Sequence, residues 1–286
     1  MIIDAHAHAA GDYASAESIT TTVKKYEINK VILCTSPKNN VDLKAPPNVP
    51  LMKSPSSIYF FNRMLRLAYK SFKSYGDGNK YVFELKNRLP ETVIQFLWVN
   101  PLDPQLMCNL DKNIREYQVK GIKLHQAWNP FTIDGSEFNQ IVEVARENRL
   151  PIFIHLYSKE ETWKLLQYVG SHRDVIFIIA HMLGLDIFKE RAKDLHNVYF
   201  DTSGSERVRG RDVLEAIDLF GYEHVIFGSD TPYAKIGDQI EKLERLILSG
   251  DIKEHVFRLN IEHLLSLGTL HQQTNGIKGE TYGYTI

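Results

Sequence analysis

The chain has 286 residues, of which 43% are apolar and 24% charged, so it can bury one large core. Its 34 basic and 35 acidic residues leave a formal net charge of -1, which argues against nucleic acid or an anionic membrane surface as a partner. No apolar run approaches the roughly 18 residues that a transmembrane helix needs. A small-molecule partner is therefore predicted.

The cysteine content and the first residues bear on location. Cys34 and Cys108 are the only cysteines, and Asp4 places a charge where a secretory signal needs a basic start followed by an apolar stretch. We therefore expect a cytoplasmic protein whose two thiols are reduced.

Apolar runs bounded by glycine, proline or charge predict eight strands along the chain. They lie near residues 2–6, 30–35, 93–98, 119–124, 151–156, 175–180, 197–202 and 224–229. Segments with helical periodicity alternate with them, at residues 16–26, 106–117, 138–148, 160–169, 208–220 and 239–248, and a seventh is expected near 185–195. Gly184 and several charges obscure the period of that seventh helix.

Strict alternation of strands and helices predicts a parallel sheet, and right-handed crossovers wind eight such units into a TIM-type (β/α)8 barrel. A doubly wound open sheet is the alternative. It would not gather the ends of the first, fifth, sixth and eighth strands around one point.

The stretch after the second strand, about residues 37–90, is far longer than an ordinary βα connection. We expect an irregular loop first and then an amphipathic helix over residues 57–72, which covers the active site because insertions at the carboxyl face of a barrel usually do. The alternative is a helix that packs outside the barrel or against another subunit. The whole chain, 1–286, is predicted to be one domain, with a tail at about 271–286 that a partner subunit in a homodimer could order.

Several of the predicted strands end at residues whose side chains can bind a metal ion. His6 and His8 are two residues apart on the first strand, so both imidazoles point to the same side. His155 ends the fifth strand and Asp230 the eighth, and the carboxyl ends of barrel strands converge. Three imidazoles and one carboxylate suit Zn²⁺, with Mn²⁺ or Fe²⁺ as alternatives.

Any one of these residues alone is more simply explained as a core polar group with a satisfied hydrogen bond. Four buried polar strand ends without a shared ion would leave several costly desolvated groups in the barrel. The set therefore predicts a metal site.

Six ordered strings at strand ends resemble a known family. The chain is similar to the metal-dependent hydrolases of the amidohydrolase superfamily, in the amidohydrolase-2 branch that also holds the aminocarboxymuconate semialdehyde decarboxylase relatives. The strings are Asp4-Ala5-His6-Ala7-His8, Gly121-Ile122-Lys123-Leu124-His125, Ile154-His155, Ile179-Ala180-His181, Tyr199-Phe200-Asp201-Thr202-Ser203 and Phe227-Gly228-Ser229-Asp230-Thr231-Pro232. A further string, Asn260-Ile261-Glu262-His263-Leu264-Leu265, is similar to the end of the family's last helix.

The resemblance implies that His6, His8, His155 and Asp230 hold one divalent ion, usually zinc. It leaves His181 for catalysis, as the group that orients or deprotonates the activated water, since imidazole suits proton transfer near neutrality. The alternative is that His181 is another ligand or supports one.

Lys123 has two interpretations. In binuclear relatives a carboxylated lysine at a comparable strand end bridges two ions, whereas in a mononuclear site Lys123 and His125 line the substrate pocket. We favour one ion, with Lys123, His125, Trp128 and Tyr157 as substrate-binding residues. Asp201, Ser203 and Tyr233 are further candidates for the pocket wall.

The resemblance implies a hydrolase in which the metal activates water to cleave an amide, a lactone or a related bond, while Asp230 or His181 moves the proton. The alternative is a lyase, a nonoxidative decarboxylase of a small unsaturated or aromatic carboxylate. A decarboxylase needs a counter-cation, which Arg63, Arg66 or Lys70 of the insertion could supply. A barrel that binds metal or ligand without turnover is the third possibility.

Overall fold

The structure is a computed structural model that describes residues 1–35, 55–69, 78–204 and 207–267. Eight parallel strands form one sheet in sequential order. They are β1 (Ile2–His8), β2 (Ile28–Cys34), β3 (Val93–Trp98), β4 (Gly121–His125), β5 (Ile152–His155), β6 (Phe177–Ile179), β7 (Val198–Asp201) and β8 (Val225–Ile226).

Backbone hydrogen bonds close the sheet between its first and last strands. Ala5 N donates to Phe227 O at 3.1 Å, and Asp230 N donates to His6 O at 2.7 Å. His8 N donates to Thr231 O at 2.8 Å, beside a parallel bridge between Ala7 and Thr231. The prediction of a TIM-type (β/α)8 barrel is therefore confirmed.

Helices surround the barrel. They are α1 (Ala16–Lys25), α2 (Pro55–Tyr69), α3 (Gly78–Arg88), α4 (Pro104–Cys108), α5 (Leu110–Tyr117), α6 (Ser136–Asn148), α7 (Lys159–Ser171), α8 (Leu185–Phe188), α9 (Gly210–Phe220), α10 (Ile236–Glu244) and α11 (Gly250–Glu254). A π-helical turn, His255–Leu259, follows α11, and residues 260–267 are again helical.

Three helical segments differ from the prediction. The single helix expected at 106–117 is divided, because Asn109 ends α4 and begins α5. The helix expected at 185–195 is only α8 followed by a 3₁₀ segment, Lys189–Asp194, which buries none of its residues and so has no apolar face to extend a helix. Helix α3 was not predicted, since among its eleven residues only Gly78, Val82 and Leu85 are buried.

Large apolar side chains fill the space between the strands and the helices and also the interior of the barrel. Phe96 of β3 and Phe153 of β5 meet inside the barrel in an edge-to-face contact, with ring centroids 6.5 Å apart. Gly121 of β4 leaves room for them, because a Cβ at that position would lie 2.5 Å from the Phe96 ring. The interior below the catalytic end is therefore a packed core rather than a channel.

Helix α2 of the insertion lies against the carboxyl end of the barrel. Asn62 Nδ2 donates to Leu156 O at 3.0 Å, just beyond β5, and Arg66 Nη2 donates to Gln126 O at 2.7 Å, just beyond β4. This is the location that the sequence predicted for the insertion. The structure does not describe residues 37–54 and 70–77 of the insertion or the tail at 271–286.

The limits of the single domain, 1–286, remain our proposal. Cys34 is buried, Cys108 is exposed, and both are free. Among the residues that the structure describes, no helix is both long and apolar enough to cross a membrane.

Candidate metal centre and active site

Three predicted ligands meet at the carboxyl end of the barrel. His6 Nε2 and His8 Nε2 each lie 3.5 Å from Asp230 Oδ1, and all three side chains are buried. Their nitrogen and oxygen atoms form a group compact enough for one metal ion. We call His6, His8 and Asp230 the metal group.

The other ring nitrogens of the two histidines are held by acceptors. His8 Nδ1 donates to the carbonyl of Thr35 at 2.9 Å, and His6 Nδ1 donates to Asp201 Oδ2 at 2.9 Å. Such partners fix the tautomer and leave the Nε2 lone pair available to an ion. The donor set of the metal group therefore fits a divalent ion such as Zn²⁺ or Mn²⁺.

Asp201, at the end of β7, accepts hydrogen bonds from several groups next to His6. Its Oδ2 also accepts from the Ser203 hydroxyl at 2.7 Å and from the backbone N–H of His181 at 3.0 Å. Burial raises the pKa of Asp201, but the charge of His6 and the hydrogen bonds from the His6 ring and the Ser203 hydroxyl outweigh that effect and hold the pKa of Asp201 below its usual range. His6, His181 and Asp201 form a second compact cluster of donor atoms, in which Asp201 already hydrogen-bonds to the other two residues.

His155 lies beside His181, with ring centroids 5.0 Å apart, but outside both clusters. Its Nε2 donates to Asn62 Oδ1 of helix α2 at 3.1 Å, and its ring stacks on His125 with centroids 3.9 Å apart. Burial lowers the pKa of His155 well below its usual value, so the imidazole is neutral. Its role as a fourth ligand stays a prediction.

His181 and Asp230 both follow short strands instead of ending long ones. β6 ends at Ile179 and β8 at Ile226, and the chain then turns, with positive φ at His181 (56°), Met182 (50°) and Asp230 (61°). These turns accompany a close approach of the two side chains, with His181 Nε2 3.8 Å from Asp230 Oδ2. The expected strands at 175–180 and 224–229 therefore end earlier in the structure, and β6 also begins two residues later than expected, at Phe177.

His181 is placed as the sequence predicted, between the metal group and the loop after β7. Its Nδ1 donates to the Ser203 carbonyl at 3.2 Å, and its Nε2 lies 3.8 Å from Asp230 Oδ2. Burial and the charge of Arg207 contribute to a pKa of about 3, although Asp230 opposes the shift. The imidazole is therefore neutral in this arrangement.

Arg207 is a residue of the candidate site that sequence reasoning missed. Its Nη1 donates to His181 Nε2 at 3.0 Å and to Asp230 Oδ2 at 3.2 Å, and its side chain is only 11% exposed. One feature of the sequence could have identified Arg207: it lies six residues after Asp201, in a loop at the catalytic face of the barrel.

Lys123 and His125 point inward together, as their spacing predicted. Lys123 Nζ lies 2.8 Å from His6 Nε2 and 4.0 Å from the centre of the Phe153 ring. Burial lowers the pKa of Lys123 and, more strongly, that of His125. Lys123 therefore borders the metal group directly.

The predicted pocket residues surround these groups. The Trp128 ring meets His125 edge-on at 6.1 Å, and Tyr233 meets His8 edge-on at 5.2 Å. The guanidinium of Arg66 lies 3.4 Å above the ring of Tyr157. Their contacts with substrate remain predictions.

A cleft of about 110 Å³, partly open to solvent, reaches from His181 and Arg207 to the surface. Apolar side chains form much of its wall, and its charged side chains range from half-buried Arg207 to exposed Asp186 and Glu215. The lining residues are Ile58, His181, Met182, Leu183, Gly184, Leu185, Asp186, Arg207, Val208, Arg209, Asp212 and Glu215.

Solved structures share the fold. An uncharacterized TIM-barrel protein from Bordetella bronchiseptica superposes with a TM-score of 0.70 at 13% identity, over 94% of this chain and 99% of that chain. The 5-carboxyvanillate decarboxylase of Sphingomonas paucimobilis gives 0.66 at 12% identity, over 93% and 98%. A dihydroxybenzoic acid decarboxylase from a Polaromonas species, with bound manganese and the inhibitor 2-nitroresorcinol, gives 0.65 at 15% identity, over 93% and 97%.

No curated protein matches the chain significantly in sequence. The model of the amidohydrolase family, in contrast, matches residues 3–267, which include the metal group and all of the barrel strands except Ile2. The family predicted from the ordered strings is thus confirmed, and the chain belongs to the amidohydrolase family.

Proposed function

We propose that this protein is a metal-dependent enzyme that decarboxylates a small unsaturated or aromatic carboxylate without oxidation. The observation behind the proposal is the guanidinium of Arg207, which is fixed beside both His181 and Asp230. A decarboxylase needs such a cation to hold the anionic substrate. The similarity to two decarboxylases supports the same choice.

The metal group fits a divalent ion, which when bound would act as a Lewis acid that orients the substrate and withdraws electron density from it. We propose Mn²⁺ or Zn²⁺, since the donor set suits both and the Polaromonas structure contains manganese. Lys123, 2.8 Å from His6 Nε2, adds a second cation for an anionic substrate.

We propose that Arg207 binds the carboxylate through Nε and Nη2, and that the guanidinium moves its Nη1 away from His181 Nε2 as it does so. The bond between the substrate carbon and the carboxylate breaks, its electron pair stays on the carbon, and CO₂ departs. His181 is neutral with its one proton on Nδ1, so its Nε2 first takes up a proton from solvent once Arg207 has turned to the carboxylate. After CO₂ departs, His181 Nε2 delivers that proton to the carbon and the imidazole is neutral again, while Nδ1 remains anchored to the Ser203 carbonyl.

Hydrolysis of an amide or a lactone is the second candidate. Asp230 Oδ2 lies 3.8 Å from His181 Nε2, and hydrolysis also requires two proton-transfer groups beside an ion. Arg207 favours decarboxylation because an uncharged amide or lactone has no carboxylate to match it. A small-molecule substrate, a cytoplasmic location and a homodimer remain proposals in either case.

The test is a parallel screen of the purified protein loaded with Mn²⁺ or Zn²⁺. Hydroxybenzoates and unsaturated carboxylates are assayed for CO₂ release, and amides and lactones for hydrolysis. We expect CO₂ release, with loss of about 100-fold or more in kcat/KM when Arg207→Gln removes the cation. Hydrolysis of uncharged substrates without CO₂ release would favour the second candidate.

A further inference from the structure

The two ends of the cleft carry opposite charge. Its inner end contains buried His181 and half-buried Arg207, whereas Asp186 of α8 and Glu215 of α9 are exposed at its outer end. Asp212 is already paired with Arg209, at 3.3 Å from its Nε. Arg207 is paired through Nη1 with Asp230, at 3.2 Å. Among the described residues, the lining thus combines one inner cation that is paired through a single nitrogen with two outer carboxylates that have no ion-pair partner.

The inner cation can bind a carboxylate through two nitrogens. Nη1 of Arg207 is the nitrogen that contacts His181 and Asp230. Among the described residues, none accepts a hydrogen bond from its Nε or Nη2. These two nitrogens form an edge of the guanidinium that matches a carboxylate in bidentate geometry.

The wall between the two ends is apolar. Ile58 of the insertion helix is 5% exposed, and Leu185 and Val208 on the barrel side are 7% and 1% exposed. Such a wall suits the body of an aromatic or unsaturated substrate, which contributes no charge of its own.

We infer that the cleft selects a monocarboxylate with an apolar body and an uncharged outer end, and that Asp186 and Glu215 reject dicarboxylates. The inference rests on the proposed function, because it takes the carboxylate at Arg207 to be the reacting group. A second carboxylate at the outer end would face two like charges, and specificity often depends on such repulsion as much as on attraction.

The probes are terephthalate and terephthalamate, which have nearly the same shape and differ in the charge of one end. Binding to the Mn²⁺-loaded protein is measured by calorimetry. We expect terephthalamate to bind about 10-fold more tightly than terephthalate, since only the latter meets the outer carboxylates. Asp186→Asn with Glu215→Gln should bring the two affinities to within about 2-fold by tightening terephthalate alone.

Asp218→Asn is the matched control, because Asp218 is an exposed carboxylate of α9 that does not line the cleft. Like each substitution of the double variant, it removes one negative charge from the protein. It should leave the preference for terephthalamate over terephthalate unchanged. Arg207→Gln should weaken both probes by about 100-fold.

Equal binding of the two probes, an unchanged preference in the double variant, or binding that does not depend on Arg207 would each overturn the inference. Failure of this inference can be distinguished from failure of the proposed function. Charge-dependent binding without CO₂ release from any carboxylate would contradict decarboxylation alone, and efficient decarboxylation of dicarboxylates would contradict this inference alone.

Discussion

His181 and Asp230 adopt left-handed backbone conformations at the catalytic end of the barrel, with φ of 56° and 61°. A residue other than glycine at positive φ is uncommon, and the surrounding structure must maintain it. Here the hydrogen bond from His181 N to Asp201 and that from Asp230 N to His6 O hold the two turns. The conformations bring His181 Nε2 and Asp230 Oδ2 to 3.8 Å.

Replacement of His181 tests its role in proton transfer. Asparagine is the suitable substitute because it tolerates positive φ better than alanine does. We expect His181→Asn to keep metal content and fold while it lowers turnover by about 10²–10⁴-fold, the scale of losing a positioned acid or base. Elemental analysis, circular dichroism and the rate of CO₂ release measure the three quantities.

The metal group does not need His181, since His6, His8 and Asp230 already provide three donors. Loss of the ion in His181→Asn would therefore make His181 a ligand. Turnover within a few-fold of the parent would show that the proton takes another route, with Asp230 as the first alternative.

The sequence revealed part of this site, and the reason differs from residue to residue. Alternation on β1 was enough to place His6 and His8 on one side, and the same rule placed Lys123 with His125. Arg207 lies in a loop with no periodicity, so nothing in the sequence indicated its direction. The contact of Asn62 with His155 depends on how the insertion folds back, which no local pattern encodes.

At the scale of secondary structure, periodicity located every strand but not every end. β6 and β8 end early because the backbone leaves extended geometry to form the turns at His181 and Asp230, and β6 also begins only at Phe177. An apolar run such as residues 175–180 does not record these limits, since all of its residues except Ile176 are buried whether they lie in the strand or outside it. Helix α3 was missed because few of its residues face the core.

Gly121 of β4 offers a test of packing between strands inside the barrel. An added Cβ would lie 2.5 to 2.7 Å from three atoms of the Phe96 ring, so Gly121→Ala must displace that ring. We expect a loss of about 1–3 kcal/mol in the free energy of unfolding, the usual cost of overpacking a core. Denaturant titration measures it.

Gly250→Ala is the control, because a Cβ there would meet nothing within 4 Å. It should leave stability unchanged or slightly higher, as Gly250 opens helix α11. Phe96→Leu should restore part of the stability of Gly121→Ala. An undiminished free energy of unfolding in Gly121→Ala alone would show that the interior can adjust around β3.

Helix α2 is attached to the barrel through Asn62, which is 1% exposed. Its side chain bonds to the carbonyls of Leu156 and Tyr157 and to His155 Nε2. Asn62→Ala leaves these buried groups without their partner, at about 1–3 kcal/mol. We expect amide hydrogen exchange in α2 to accelerate by about 10-fold or more, while exchange in β4 and β5 is unchanged.

The control is Arg63→Ala on the same helix, since Arg63 is exposed and should not affect exchange. Equal acceleration in both variants would mean that Asn62 does not anchor the helix. Acceleration across the strands as well would mean that α2 and the barrel open as one unit.

In the whole molecule, closure of the barrel and construction of the metal group use the same contacts. Asp4 Oδ1 accepts from Ser229 N at 2.8 Å, so the first strand is tied to the segment that presents Asp230. The hydrogen bond from Asp230 N to His6 O joins two residues of the metal group across the seam of the barrel. An ion held there would link the two ends of the sheet again.

Metal binding should therefore stabilise the entire fold. A ligand that binds only the native state adds about 4 kcal/mol at roughly 1,000-fold excess over its dissociation constant, which for a chain of this size corresponds to a rise of about 5–10 °C in Tm. We expect Mn²⁺ or Zn²⁺ to raise the Tm of chelator-treated protein by that amount and elemental analysis to find about one ion per chain.

His6→Ala should abolish both effects, because the metal group then loses one of its three donors, whereas Arg63→Ala should preserve them. Two tightly bound ions per chain would contradict the mononuclear site, and an unchanged Tm would show that no ion bridges the seam between β1 and β8.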